Sequence, residues 1–193
     1  MDDFDILLTG VGGQGVQLVA KTLALAATLE GRPAMMTEEA TDSMRGGHSA
    51  AAVSIAQEQL RALPVLSSAG FALVLHPLGW DKVVVRLVPR SIVVVSELFD
   101  PLATTSDFGF YKVEAGRIAR EAEAPLASGL VLLAAFARLT GCVQCQSLVD
   151  AMQDLLPSYR RHHASANADA IKAGWNAHPF QLAMDQLTTG GKR

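Results

Sequence analysis

Two hydrophobic periods alternate along this chain. Short apolar runs at 5–9, 71–75 and 92–95 predict buried strands, and residues 34–37, 50–56 and 111–113 predict further ones. Between the first two strands, Val16, Val19, Ala20, Leu23, Ala26 and Ala27 recur at three- and four-residue spacing, which predicts a core-facing helix over 16–30. Gly31 stands where a glycine C-cap belongs, and Pro33 prevents continuation. This strand–helix–strand unit is of ordinary βαβ length, so the first two strands are expected to pair in parallel through a right-handed crossover. Gln57-Glu58-Gln59 predicts a turn, and Leu60–Leu63 a short returning strand. Residues 78–88 fit both periods. Trp80, Val84 and Leu87 share one helical face, Pro89 ends it, and a helix is expected there. From Ala115 onward the period is helical, with segments at 115–122, 126–140, 145–155 and 163–174, and Thr188–Arg193 reads as a frayed tail. The expected fold class is α/β: a Rossmann-like three-layer sandwich with a mostly parallel sheet and C-terminal helices packed back on it. One domain over 1–187 is expected, its sheet part at about 4–113 and its helical part at about 115–177.

Composition narrows the function classes. Half of the 193 residues are hydrophobic and 18% are charged, enough apolar material for a real core. A net charge of −3 provides no electrostatic footprint for nucleic acid or an anionic membrane. No apolar run approaches the roughly 20 residues that a membrane span needs. The acidic start, Met1-Asp2-Asp3-Phe4-Asp5, does not resemble a basic signal-peptide region, and two cysteines do not make a disulfide scaffold. A cytoplasmic protein is expected.

The candidate chemistry sits where the first period changes into the second. Gly10, Gly12 and Gly15 satisfy G-x-G-x-x-G, with Gly13 and Gln14 filling the gap. Glycines permit a tight strand-to-helix turn, and the free N–H groups of the helix start favour an anion. The same spacing also serves simple strand–helix packing. A dinucleotide site would place an acid about 20 residues beyond the loop to hold the ribose, and Glu38 and Glu39 stand there. Arg45, followed by Gly46 and Gly47, offers a fork for a carboxylate or phosphate, or an ion pair. His48 draws attention by its place beside Gly47. Cys142-Val143-Gln144-Cys145 is a lone CxxC in apolar surroundings and reads as structural thiols rather than half a zinc site. A [4Fe–4S] cluster takes four thiolates, so two cysteines cannot hold one alone. His162 and His163, beside Arg160 and Arg161, read as a solvated basic face. The glycine loop lacks the Gly-Lys-Ser/Thr ending of a P-loop, and no complete Ser/His/Asp or paired-acid set assembles from the spacing.

The loop from Gly10 to Val16, followed by Arg45-Gly46-Gly47, resembles the gamma domain of the 2-oxoacid:ferredoxin oxidoreductases, which act on pyruvate, 2-oxoglutarate or indolepyruvate. The resemblance covers about residues 4–177, including Asn167, Ala170 and Gly174 of a late N-x-x-A-x-x-x-G pattern. It implies a subunit of an enzyme that oxidatively decarboxylates a 2-oxoacid, usually with coenzyme A, and passes electrons to ferredoxin. It also implies that thiamine diphosphate and iron–sulfur clusters sit on partner subunits, with no cofactor held by this chain alone and coenzyme A as a candidate at the interface. The candidate cofactor-side residues are then Gly10, Gly12, Gly13, Gln14, Gly15, Arg45, Gly46 and Gly47, with Glu38 added by the dinucleotide reading; no catalytic residue and no metal ligand follow for this chain. Gly129–Ala135 departs from the pattern, because an asparagine common in relatives is absent. The stretch from Glu38 to Arg45 also departs, which leaves the substrate open. Two other classes stay open: a stand-alone Rossmann-type nucleotide-binding protein, and an assembly factor that touches no chemistry.

Overall fold

The computed structural model of the chain describes residues 3–39, 47–60, 66–99 and 108–181. Its centre is a seven-stranded sheet in the order β2-β3-β1-β4-β5-β6-β7. The strands are β1 (Phe4–Val11), β2 (Ala34–Glu39), β3 (His48–Ile55), β4 (Ala69–Val74), β5 (Leu87–Ser96), β6 (Gly109–Val113) and β7 (Phe180–Gln181). β1, β4, β5 and β6 run parallel as neighbours. β3 is antiparallel to both β1 and β2, and β7 is antiparallel to β6. The mostly parallel α/β architecture expected from the sequence is present.

Parallel pairing of the first two strands is not. β3 lies between them, pairing Phe4↔Ile55 through Val11↔His48 with β1 and Ala34↔Ile55 through Glu39↔Ala50 with β2. The physical reason is visible in β3 itself. Ala50 to Ile55 are all buried, because this strand is covered on both faces and bonded on both edges. β2, by contrast, has no fully buried residue and suits the sheet edge. Two further expectations shift. The helix expected at 78–88 is confined to α2 (Trp80–Val84), and β5 takes over from Leu87. The returning strand expected at 60–63 and the tail at 188–193 fall largely or wholly outside the described residues.

Period-two alternation divides the sheet between two cores. Ile6, Leu8, Val53, Leu73 and Val94 face α1 (Val16–Leu29), α3 (Ala115–Glu121), α4 (Ser128–Thr140), α5 (Cys145–Leu155) and α6 (Ala164–Asn176). Leu7, Ala52, Ala72, Val74, Val93 and Val95 face the other side, where α2 and an aromatic group of Trp80, Phe99 and Phe110 cover them. α4 is the most enclosed helix, buried without a break from Gly129 to Ala137. It is the middle of the helix layer, packed against α6, α3, α5 and the sheet.

Candidate functional site

β1 ends at the carboxyl edge of the parallel strands, and the glycine turn stands there. Gly13 (φ +100) and Gly15 (φ +74) adopt the left-handed backbone that glycine favours, and Gly15 is the N-cap of α1. Gln14 folds back, its Oε1 accepting from Val11 N–H at 3.0 Å, while Gln14 N–H donates to the Val11 carbonyl at 3.1 Å. Gly10 makes room for this: a Cβ there would stand 2.8 Å from both Gln14 Oε1 and Val16 Cγ2. A Cβ on Gly13 would meet nothing within 4 Å, so the turn opens outward. Gly12, Gly13 and Gly15 are exposed. The start of α1 has no side-chain cap and no acidic residue in its first turn, an arrangement that favours an incoming negative group.

Gly47 belongs to the same place. Its carbonyl accepts from Gly12 N–H at 2.9 Å, tying the segment entering β3 to the glycine turn. Arg45 and Gly46 lie outside the described residues. Glu38 is placed elsewhere. β2 stands two strands from β1, roughly 10 Å away across the sheet. The Glu38 carboxylate pairs with Lys21 Nζ at 3.2 Å and that of Glu39 with Arg86 at 2.7 Å. The insertion of β3 therefore moves both acids away from where a ribose-binding acid stands in a dinucleotide fold.

The structure adds residues that spacing did not single out. Behind the turn, Gln14 and Gly15 form one wall of a cavity of about 320 Å³. Leu18, Leu130 and Leu156 supply apolar surface, and Arg160, His163 and Asn167 supply polar groups. The basic run at 160–163 is exposed, as its sequence implies, and His163 also reaches this wall. A larger hollow of about 810 Å³ lies along β6, α3 and the end of α6, and none of the sequence-predicted residues lines it. Thr9 and His48, both buried, meet beneath the turn, their Oγ1 and Nε2 atoms 3.0 Å apart. Only the adjacency of His48 to Gly47 hinted at this in the sequence.

The cysteines lie away from the turn, at the α4–α5 connection. Cys142 is fully buried, and desolvation pushes its thiol up to about 11. Cys145, half-buried, is also raised by desolvation, against the pull of Lys172. Arg32 Nη1 donates to the Cys142 carbonyl at 2.8 Å, so this corner is braced by packing. Neither thiol has the lowered pKa of a reactive cysteine. Among the described residues, no three His, Cys, Asp or Glu side chains converge as metal ligands.

A family model described as pyruvate ferredoxin/flavodoxin oxidoreductase matches residues 5–177. The chain belongs to this family. Within it, the 2-oxoglutarate synthase subunit KorC of Methanocaldococcus jannaschii is 31% identical over 159 residues, covering 79% of this chain and 83% of KorC. The fold is shared with the gamma subunit of a keto/oxoacid ferredoxin oxidoreductase from Geobacter sulfurreducens (TM-score 0.75, 21% identity, 91% of this chain and 95% of that one). It is shared as well with pyruvate oxidoreductase subunit PORC of Thermotoga maritima (TM-score 0.72, 21% identity, 91% and 96%). A 2-oxoglutarate:ferredoxin oxidoreductase from Magnetococcus marinus, with 2-oxoglutarate, coenzyme A and succinyl-CoA bound, contains the same fold within a longer chain (TM-score 0.78, 17% identity, 90% and 30%). The gamma-type resemblance read from the glycine loop is borne out. Among the described residues no helix is long and apolar enough to cross a membrane.

Proposed function

We propose that this chain is the gamma-type subunit of an enzyme that oxidatively decarboxylates a 2-oxoacid and passes the electrons to ferredoxin. It works only with partner subunits that hold thiamine diphosphate and iron–sulfur clusters. One observation carries the reading: the family match spans 5–177, so nearly all of the chain is this one unit. The chemistry of its own residues agrees. Two cysteines fall short of the four thiolates that a [4Fe–4S] cluster takes, which supports placing the clusters on partners. The open turn at Gly12–Gly15, with uncapped N–H groups and room above Gly13, suits the phosphates of coenzyme A at the subunit interface. Relatives named for 2-oxoglutarate and pyruvate support a substrate of that class, and indolepyruvate is tested beside them.

The experiment is native co-purification of the tagged chain from its own host. Iron and thiamine analysis follows, then ferredoxin reduction with each of the three 2-oxoacids and coenzyme A. A brown, thiamine-containing complex that reduces ferredoxin with one of them is the expected outcome; a colourless, solitary chain would refute the reading. In that complex, Gly13→Leu is expected to raise the KM for coenzyme A or to weaken assembly, with the solubility of the chain unchanged. A Gly13→Leu complex that assembles and turns over normally would remove the turn from the site.

A further inference from the structure

We propose that His48 is a positioning residue: it locks the glycine turn into its working geometry from beneath. The proposal rests on the reading of that turn given above. Three strand ends meet at His48. It opens β3 opposite Val11, the last residue of β1. Thr9, fully buried in β1, has one hydroxyl proton and donates it to the Leu78 carbonyl, in the segment between β4 and α2, at 3.1 Å. Thr9 Oγ1 must therefore accept from His48, at 3.0 Å, and this assigns the proton to Nε2 of the ring. Gly79 completes the cage. It is left-handed (φ +88), and a Cβ on it would stand 2.1 Å from the imidazole, so the ring occupies the place of a side chain at 79. One peptide upstream of His48, the Gly47 carbonyl holds Gly12 N–H. The chain of contacts runs Leu78–Thr9–His48, then through the backbone to Gly47 and Gly12. Moving the ring moves the carbonyl that holds the turn. Misplacements of about 1 Å transmitted from outside a site cost up to about a hundredfold in function.

The test compares His48→Leu, His48→Gln and Thr9→Val in the assembled oxidoreductase. Leucine keeps the bulk and loses the N–H, glutamine keeps a side-chain N–H donor, and valine removes the acceptor. His48→Leu and Thr9→Val are each expected to raise the KM for coenzyme A about tenfold with kcat within about twofold, and the double variant to be no worse than either alone. His48→Gln is expected to stay within about threefold of the unaltered complex. A lowered melting temperature with unchanged KM in both single variants would overturn the proposal and leave His48 as a core histidine. If Gly13→Leu also leaves that KM unchanged, the reading of the turn itself has failed. If Gly13→Leu moves it and His48→Leu does not, only the positioning role falls. The ring state offers a readout that does not depend on assembly. Nitrogen NMR of the full chain is expected to find the proton on Nε2, and its absence from that atom would overturn the proposal even where His48→Leu does not fold.

Discussion

At the scale of single residues, close approach decides more than chemistry does. Gly174 on α6 packs against the backbone of α4 so tightly that a Cβ would stand 2.4 Å from the Val131 carbonyl oxygen. Gly174→Ala is expected to destabilise the chain by about 2–3 kcal/mol, because neither backbone can yield without moving a helix; a shifted denaturant midpoint with an unchanged slope checks it. Cys142 makes a pH-dependent prediction. Below its ordinary 9.0, the thiol is neutral in both the folded and the unfolded chain. Between pH 9.0 and about 11 the unfolded chain ionises while the buried thiol does not. Stability contributed by the neutral thiol is therefore lost over that window, at up to about 1.4 kcal/mol per pH unit. Urea midpoints are expected to fall more steeply over that window in the natural chain than in Cys142→Ala. Individual residues were also the most legible level of the sequence. Gly10, Gly12, Gly13, Gln14, Gly15 and Gly47 are gathered at one edge, because glycine-rich turns and their spacing are local properties. Thr9 and Leu78, sixty-nine positions apart, left no local signal.

Among the elements, periodicity read the helices well and the sheet partners badly. α5 occupies Cys145–Leu155 as its spacing implies, whereas the expected helix starts at 126 and 163 are taken by 3₁₀ turns, Pro125–Ala127 and Ser158–His163, before α4 and α6 begin. α4 packs between the sheet and the neighbouring helices, and Phe136 at its centre has no exposure and meets Phe71 edge-on, with ring centroids 6.1 Å apart. Phe136→Ala is expected to cost about 3–5 kcal/mol, since a fully enclosed site collapses little around the cavity it leaves. Calorimetric melting checks that value, and a loss below about 1 kcal/mol would mean that the helix layer repacks. β3 is the element that the sequence disguised. Its loose alternation around Val53 and Ile55 is compatible with an edge strand or a central one, and only the burial of its alanines on both faces settles which.

At the scale of the whole molecule, the order of strands governs the functional reading. With β3 between β1 and β2, Glu38 and Glu39 stand two strands from the glycine turn and pair with Lys21 and Arg86. Titrating the isolated chain with NAD in a calorimeter is accordingly expected to give no micromolar binding; a saturable heat that Glu38→Ala abolishes would restore the nucleotide-binding alternative. The α/β class, the glycine turn and the family resemblance were all legible in the chain, because these depend on residue type and near spacing. The tertiary structure alone decided which strand lies beside β1, which acids the turn can reach, and that His48, Thr9 and Leu78 meet beneath it. Those are facts of pairing between distant segments, set by which faces and edges each strand must bury, and no local pattern in the chain encodes them.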